Sequence, residues 1–157
     1  MIETVEAIKR DIVVNIGRER AFEIFTAEMT SWWPSAHHIG ETPIARVIIE
    51  PRAGGRWYTV HEDGSETYTG FVVVWDPPGR FVVTWQIGSD WKYHDDLVTT
   101  VDVRFDEDAP GRTRVRLEHR DLEAFGAGAA AMRETFEQPG AWTGTLAAYA
   151  QRAEEAA

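Results

Sequence analysis

The sequence predicts an α+β fold: one curved antiparallel sheet of about seven strands against a long C-terminal helix, with two short helices after the first strand. Three observations carry this. Apolar and polar residues alternate through most of residues 44–121, the period of a sheet with one wet face. On either side of that stretch the apolar spacing becomes three to four, as in amphipathic helices. Breaker-rich segments at Pro51–Gly55, Asp63-Gly64 and Asp76–Gly79 divide the alternating region into short strands.

Each element has its own reason. Ala7–Ile16 is dense in β-branched residues and reads as a strand stopped by Gly17. Arg18–Met29 places Ala21, Phe22, Phe25 and Met29 on one helical stripe. A second short turn follows over Thr30–Pro34 and closes at Trp33, because the residue before a proline is biased away from helix. Strands are then predicted over Ile44–Glu50, Arg56–Glu62, Tyr68–Trp75, Phe81–Ile87, Leu97–Phe105 and Arg112–Asp121. Leu97, Thr99, Val101, Val103 and Phe105 share one face of their strand, and Val115, Leu117 and His119 share one face of the next. A longer loop over Gly88–Asp96 carries Trp91, Tyr93 and His94. Ala127–Glu137 reads as a weak helix broken by Pro139, and Ala141–Ala153 as an amphipathic one with Trp142, Leu146 and Tyr149 on its apolar stripe.

Composition narrows the class of protein. A chain of 157 residues fits one domain, here 1–157, and 43% apolar residues argue against disorder. Its formal charge of −10 disfavours a nucleic-acid partner, which needs a basic face. The absence of cysteine removes disulfides, thiolate catalysis and cysteine-ligated metals. No apolar run reaches the roughly 18 residues of a membrane span, and residues 1–11 lack the apolar core of a secretory signal. The expectation is a soluble, cytoplasmic chain.

Several blocks together resemble a known family. They are the early WWP at 32–34, PRAGGRW at 51–57, GFVVVWDPPGRFVVTW at 70–85, TRVRLEH at 113–119 and GAWTGTLAAYA at 140–150. In this order they are similar to the activator-of-heat-shock-chaperone-ATPase-like branch of the START/birch-pollen-allergen superfamily, also called SRPBCC or polyketide cyclase-like. The resemblance implies a helix-grip fold with an inner cavity. It leaves function open, since the superfamily includes lipid and hormone carriers, cyclases and chaperone activators.

Candidate site residues follow from the inward faces. A curved sheet gripping a helix leaves a void where it bends away. Trp57, Thr59 and His61 alternate inward on one strand, Trp85 on another, and Thr99 and His119 on two more. Trp142, Leu146 and Tyr149 face them from the last helix, and Trp33 sits in an irregular segment able to cap a cavity mouth. His61 and His119 lie near strand ends, which favours half-wet rim positions. Tyr68 joins the set as a proton-transfer partner in an enzymatic alternative. The expected ligand is a small apolar or aromatic molecule.

No cofactor or metal is expected. The five histidines lack zinc spacing, and the run Gly126–Ala131 matches a dinucleotide loop only without the parallel strand–helix–strand unit it needs. No inward acid–base pair is visible, so binding is favoured over catalysis. Two alternatives stay open: a cyclase or hydratase using His61 or His119, and an interaction module for a protein partner or a second copy of the chain.

Overall fold

The computed structural model describes residues 5–157. Seven strands form one antiparallel sheet: β1 (Ile8–Val14), β2 (Ile44–Ile49), β3 (Arg56–His61), β4 (Glu66–Asp76), β5 (Arg80–Trp85), β6 (Thr99–Ala109) and β7 (Arg112–Arg120). Their order is β1-β7-β6-β5-β4-β3-β2. The meander from β2 to β7 follows from the short turns, and β1 closes the far edge against β7, with Ile8 opposite His119 and Val14 opposite Thr113. Bulges bend the sheet where its twist must increase. In β4 they lie where Trp57 pairs Gly70 but Tyr58 pairs Tyr68, and again between Val72 and Val74.

The concave face is covered by α1 (Arg18–Thr26), α2 (Ala129–Glu137) and α3 (Gly144–Glu155). Helix α1 ends three residues before the predicted Met29. Thr26 turns its hydroxyl back to the Phe22 carbonyl, and a single 3-10 turn over Met29–Ser31 follows. The C-terminal helix is shorter than predicted. Trp142 lies in a wide turn over Pro139–Thr143, where Ala141 leaves helical geometry (ψ −125°). Strand β6 begins at Thr99 rather than Leu97, because Val98 is 46% exposed and unpaired.

One end of the concave face is solid. Phe22 and Phe25 of α1 meet Phe81 and Phe105 of the sheet with ring centroids 5.1 to 5.9 Å apart. Tyr149 of α3 completes this cluster 4.8 Å from Phe25 and donates its hydroxyl to the Ala21 carbonyl at 2.9 Å. These aromatic side chains dominate the packing. At the other end, toward β3 and β4, the side chains do not meet the helices.

A tryptophan-walled cavity as the candidate functional site

The unfilled end encloses a cavity of about 430 Å3. Its sheet wall is built by Val47, Trp57, Thr59, Thr67, Thr69, Trp85 and Ile87. The opposite wall comes from α2 (Thr135, Phe136), the wide turn (Gln138, Gly140, Ala141, Trp142) and Thr145 of α3. Trp33 and residues 36–39 close one side, and Trp91 stands at the mouth, 50% exposed. Among the described residues no helix is long and apolar enough to cross a membrane.

Four indoles of the lining form a contiguous cluster in the cavity wall. Trp33 lies 5.8 Å from Trp57, Trp57 5.9 Å from Trp85, Trp85 5.9 Å from Trp142, and Trp142 6.4 Å from Trp33. Every pair is edge-to-face, the geometry that ring quadrupoles favour. Phe136 adds a fifth ring 5.7 Å from Trp85.

Polar groups behind the rings hold them in place. The Trp142 Nε1–H donates to His119 Nδ1 at 3.1 Å. Complete burial pushes the His119 imidazole down to about 3, so the ring is neutral. Its proton therefore sits on Nε2 and is donated to Thr99 Oγ1 at 2.8 Å, which in turn donates to the Trp85 carbonyl at 2.8 Å. His61 does similar work on the other side. Its Nδ1–H donates to the Thr42 carbonyl at 2.9 Å, and in the neutral ring Nε2 accepts from the Thr67 hydroxyl at 2.8 Å.

The expected site residues divide into four groups. Trp33, Trp57, Thr59, Trp85 and Trp142 line the cavity. His61, Thr99 and His119 stand directly behind that lining, and Leu146 and Tyr149 belong to the packed core. The histidines are not rim positions: His61 is 1% and His119 0% exposed. Tyr68 lies on the outer face of the sheet, 6.4 Å from Tyr58. Strict alternation back from the inward Val72 would turn Tyr68 inward, but the bulge at Thr69 shifts the phase and brings Thr67 and Thr69 in instead.

Sequence reasoning missed His37 and His38, both in the lining. Two adjacent residues cannot face one site from regular structure, and here they leave an irregular segment. Burial pushes His37 below the usual imidazole value, partly offset by a hydrogen bond with the Gly140 backbone, and its Nδ1 lies 3.4 Å from Thr145 Oγ1. His38 Nδ1–H donates to the Gly40 carbonyl at 3.0 Å. Among the described residues no group of three acidic or histidine side chains could hold a metal ion.

The fold has counterparts among solved structures. The anthrahydroquino-gamma-pyrone synthase Txn09, in its complex with SUM, is 34% identical, with a TM-score of 0.65 over 96% of this chain and 99% of its own. CalC from Micromonospora echinospora, a self-sacrificing resistance protein, is 24% identical with a TM-score of 0.72 over 96% and 95%. An HSP90 activator from Plasmodium falciparum shares the fold at 15% identity and a TM-score of 0.59, over 89% and 92%. No curated sequence matches the chain. The sequence profile described as Activator of Hsp90 ATPase homolog 1-like protein matches residues 15–149. With that profile spanning most of the chain and a relative one-third identical over nearly its whole length, the protein belongs to the Activator of Hsp90 ATPase homolog 1-like family.

Proposed function

We propose that this protein binds a small planar aromatic molecule between its sheet and its C-terminal segments. One observation carries the reading: the contiguous cluster of Trp33, Trp57, Trp85 and Trp142 in the wall of a cavity of about 430 Å3. Pockets of 300 to 1,000 Å3 suit drug-sized ligands, and indole faces and edges complement fused rings better than flexible chains. The neighbours Txn09 and CalC share this fold, and the former acts on an aromatic skeleton by its name.

The test is a titration with anthraquinone-2-sulfonate, a soluble planar probe, followed by tryptophan fluorescence and calorimetry. The expected result is saturable quenching at one probe per chain, lost in Trp85→Ala. Linear, unsaturable quenching would overturn the reading.

A second reading, a synthase-like enzyme, is favoured by His37. Its half-buried imidazole is held below the usual value and faces the cavity beside Thr145, the state a general base requires. It would take the phenolic proton of a bound hydroxyaryl ketone as the phenolate oxygen adds to an unsaturated carbon of the same molecule. The proton then returns to the neighbouring carbon, closing an oxygen-containing ring of unchanged mass. Ring closure by the wild type but not by His37→Gln is the expected outcome; equal rates with and without protein would dismiss it.

A further inference from the structure

Among the described residues seven threonines are buried: Thr26, Thr59, Thr69, Thr84, Thr99, Thr113 and Thr145. Five hydroxyls have protein partners, the carbonyls of Phe22, Trp85 and Ile16 for Thr26, Thr99 and Thr113, and side chains for Thr84 and Thr145. Thr59 and Thr69, 5% and 9% exposed, have none among the described residues. Both line the cavity. Buried hydroxyls are ordinarily paired, because leaving one bare costs its full desolvation. Neither oxygen is sealed away, since among the described residues Thr42 Oγ1 is the one closed-off side-chain atom without a partner. Both side chains border the cavity, the space from which a partner would reach them.

Between them on the same wall lies Thr67, opposite Thr59 in the β3–β4 ladder. Its hydroxyl proton is taken by His61 Nε2, so its free lone pair is an acceptor on the cavity side. The opposite wall is different: Thr135 spends its hydroxyl on the Ala131 carbonyl of its own helix. The β3–β4 wall thus offers unspent hydrogen bonds beside the apolar indoles, with His37 and His38 as further polar groups in the lining.

We propose that Thr59, Thr67 and Thr69 form a polar subsite for the oxygen-bearing edge of the bound aromatic, a quinone carbonyl or a phenolic hydroxyl. This rests on the cavity being a binding site for aromatic molecules. Thr59 and Thr69 donate to a ligand carbonyl, and Thr67 accepts from a ligand hydroxyl. The subsite orients the ring system with its oxygens toward β3 and β4 and its plain edge toward Phe136.

The experiment compares anthraquinone-2-sulfonate with anthracene-2-sulfonate. The two share skeleton and charge and differ in the quinone oxygens. Calorimetry should show the quinone binding about tenfold tighter, as two ordinary hydrogen bonds supply. In the shape-conserving double variant Thr59→Val/Thr69→Val the quinone should weaken to the level of the anthracene, whose own affinity stays within twofold. Thr59→Ser/Thr69→Ser should restore the preference, and it also serves if the valine variant folds poorly. Equal affinity of the wild type for both probes, or equal weakening of both by valine, would overturn the subsite while leaving the cavity reading intact. Failure of both probes to bind the wild type would overturn the cavity reading and the subsite with it.

Discussion

The indole of Trp142 and the imidazole of His119 are bound to one another at 3.1 Å, Nε1–H to Nδ1, inside the molecule. That bond fixes the histidine's tautomer and requires the ring to stay neutral, because a protonated Nδ1 would oppose the indole N–H. Burial lowers the folded value to about 3 against an ordinary 6.5. A depressed value gives stability that is complete above 6.5 and is lost as pH falls toward 3. One such proton is worth about 1.4 kcal/mol per pH unit. Urea melts should therefore show a loss of about 2 kcal/mol between pH 6.5 and pH 5 that His119→Gln abolishes. A wild-type slope identical to that of the variant would contradict a buried neutral imidazole.

Trp142 itself should matter for stability, though less than a tryptophan sealed in a core. Its side chain is 5% exposed, yet one side faces the cavity. Trp142→Ala then costs about 3 kcal/mol, the low end for large aromatic truncations, because part of the void already exists. A loss under about 1 kcal/mol in denaturant melts would show that the wide turn at Pro139–Thr143 is not anchored by this ring.

The sheet and its inward face were legible because period two survives in sequence. Val101, Val103, Val115 and Leu117 are all buried as the alternation requires. Depth along the strands was not legible. Alternation says that Thr99 and His119 point inward, but not that Trp85 and Trp142 stand between them and the cavity. Phase was lost at the bulge, where one extra residue exchanged Tyr68 for Thr67 and Thr69. His37 and His38 carried no periodic signal at all, since their positions are set by the irregular path between Trp33 and Ile44.

Gly70 marks that bulge, and only a missing side chain fits there. A Cβ would overlap the carbonyl oxygen and hydroxyl of Thr84 on the neighbouring strand. Thr84 cannot retreat, because its hydroxyl accepts from the Phe71 N–H at 2.8 Å and donates to Gln86 Oε1 at 2.7 Å. Gly70→Ala should destabilise by about 2 to 3 kcal/mol through overpacking. It should also weaken anthraquinone-2-sulfonate binding, since Thr69 is its neighbour. An unchanged melt would show that β4 and β5 separate easily here.

On the outer face, Asp102 gathers the guanidiniums of Arg80 (2.8 Å) and Arg120 (2.9 Å), with Arg104 at 3.7 Å. Burial works to raise this carboxyl, but the hydrogen bonds and charges of the arginines outweigh it and hold it below the ordinary 3.8. Its contribution is complete above 3.8 and is lost as pH falls below that value. Asp102→Asn should cost about 2 kcal/mol at pH 7, moderated because the arginines are about one-third exposed. The deficit relative to wild type should shrink in melts near pH 3. A deficit independent of pH would mean that the carboxylate charge is not what the cluster uses.

Trp91 tests the mouth of the cavity. It is half exposed and holds φ at +59°, a left-handed conformation costly for a bulky residue. The surrounding loop maintains it: the Trp91 N–H donates to the Gly88 carbonyl at 2.9 Å, Gly88 donates to the Lys92 carbonyl at 2.9 Å, and His94 pairs with Asp90 at 2.9 Å. An exposed aromatic held in a strained conformation does little for the core, whereas its place over the opening restricts exit. Trp91→Gly relieves the backbone and removes the ring together, so thermal stability should stay the same or rise slightly. Loss of one stacking contact corresponds to about 1 kcal/mol, so stopped-flow dissociation of anthraquinone-2-sulfonate should accelerate about fivefold with association little changed. Unaltered dissociation would remove Trp91 from the binding site, and a large fall in stability would make it a structural residue instead.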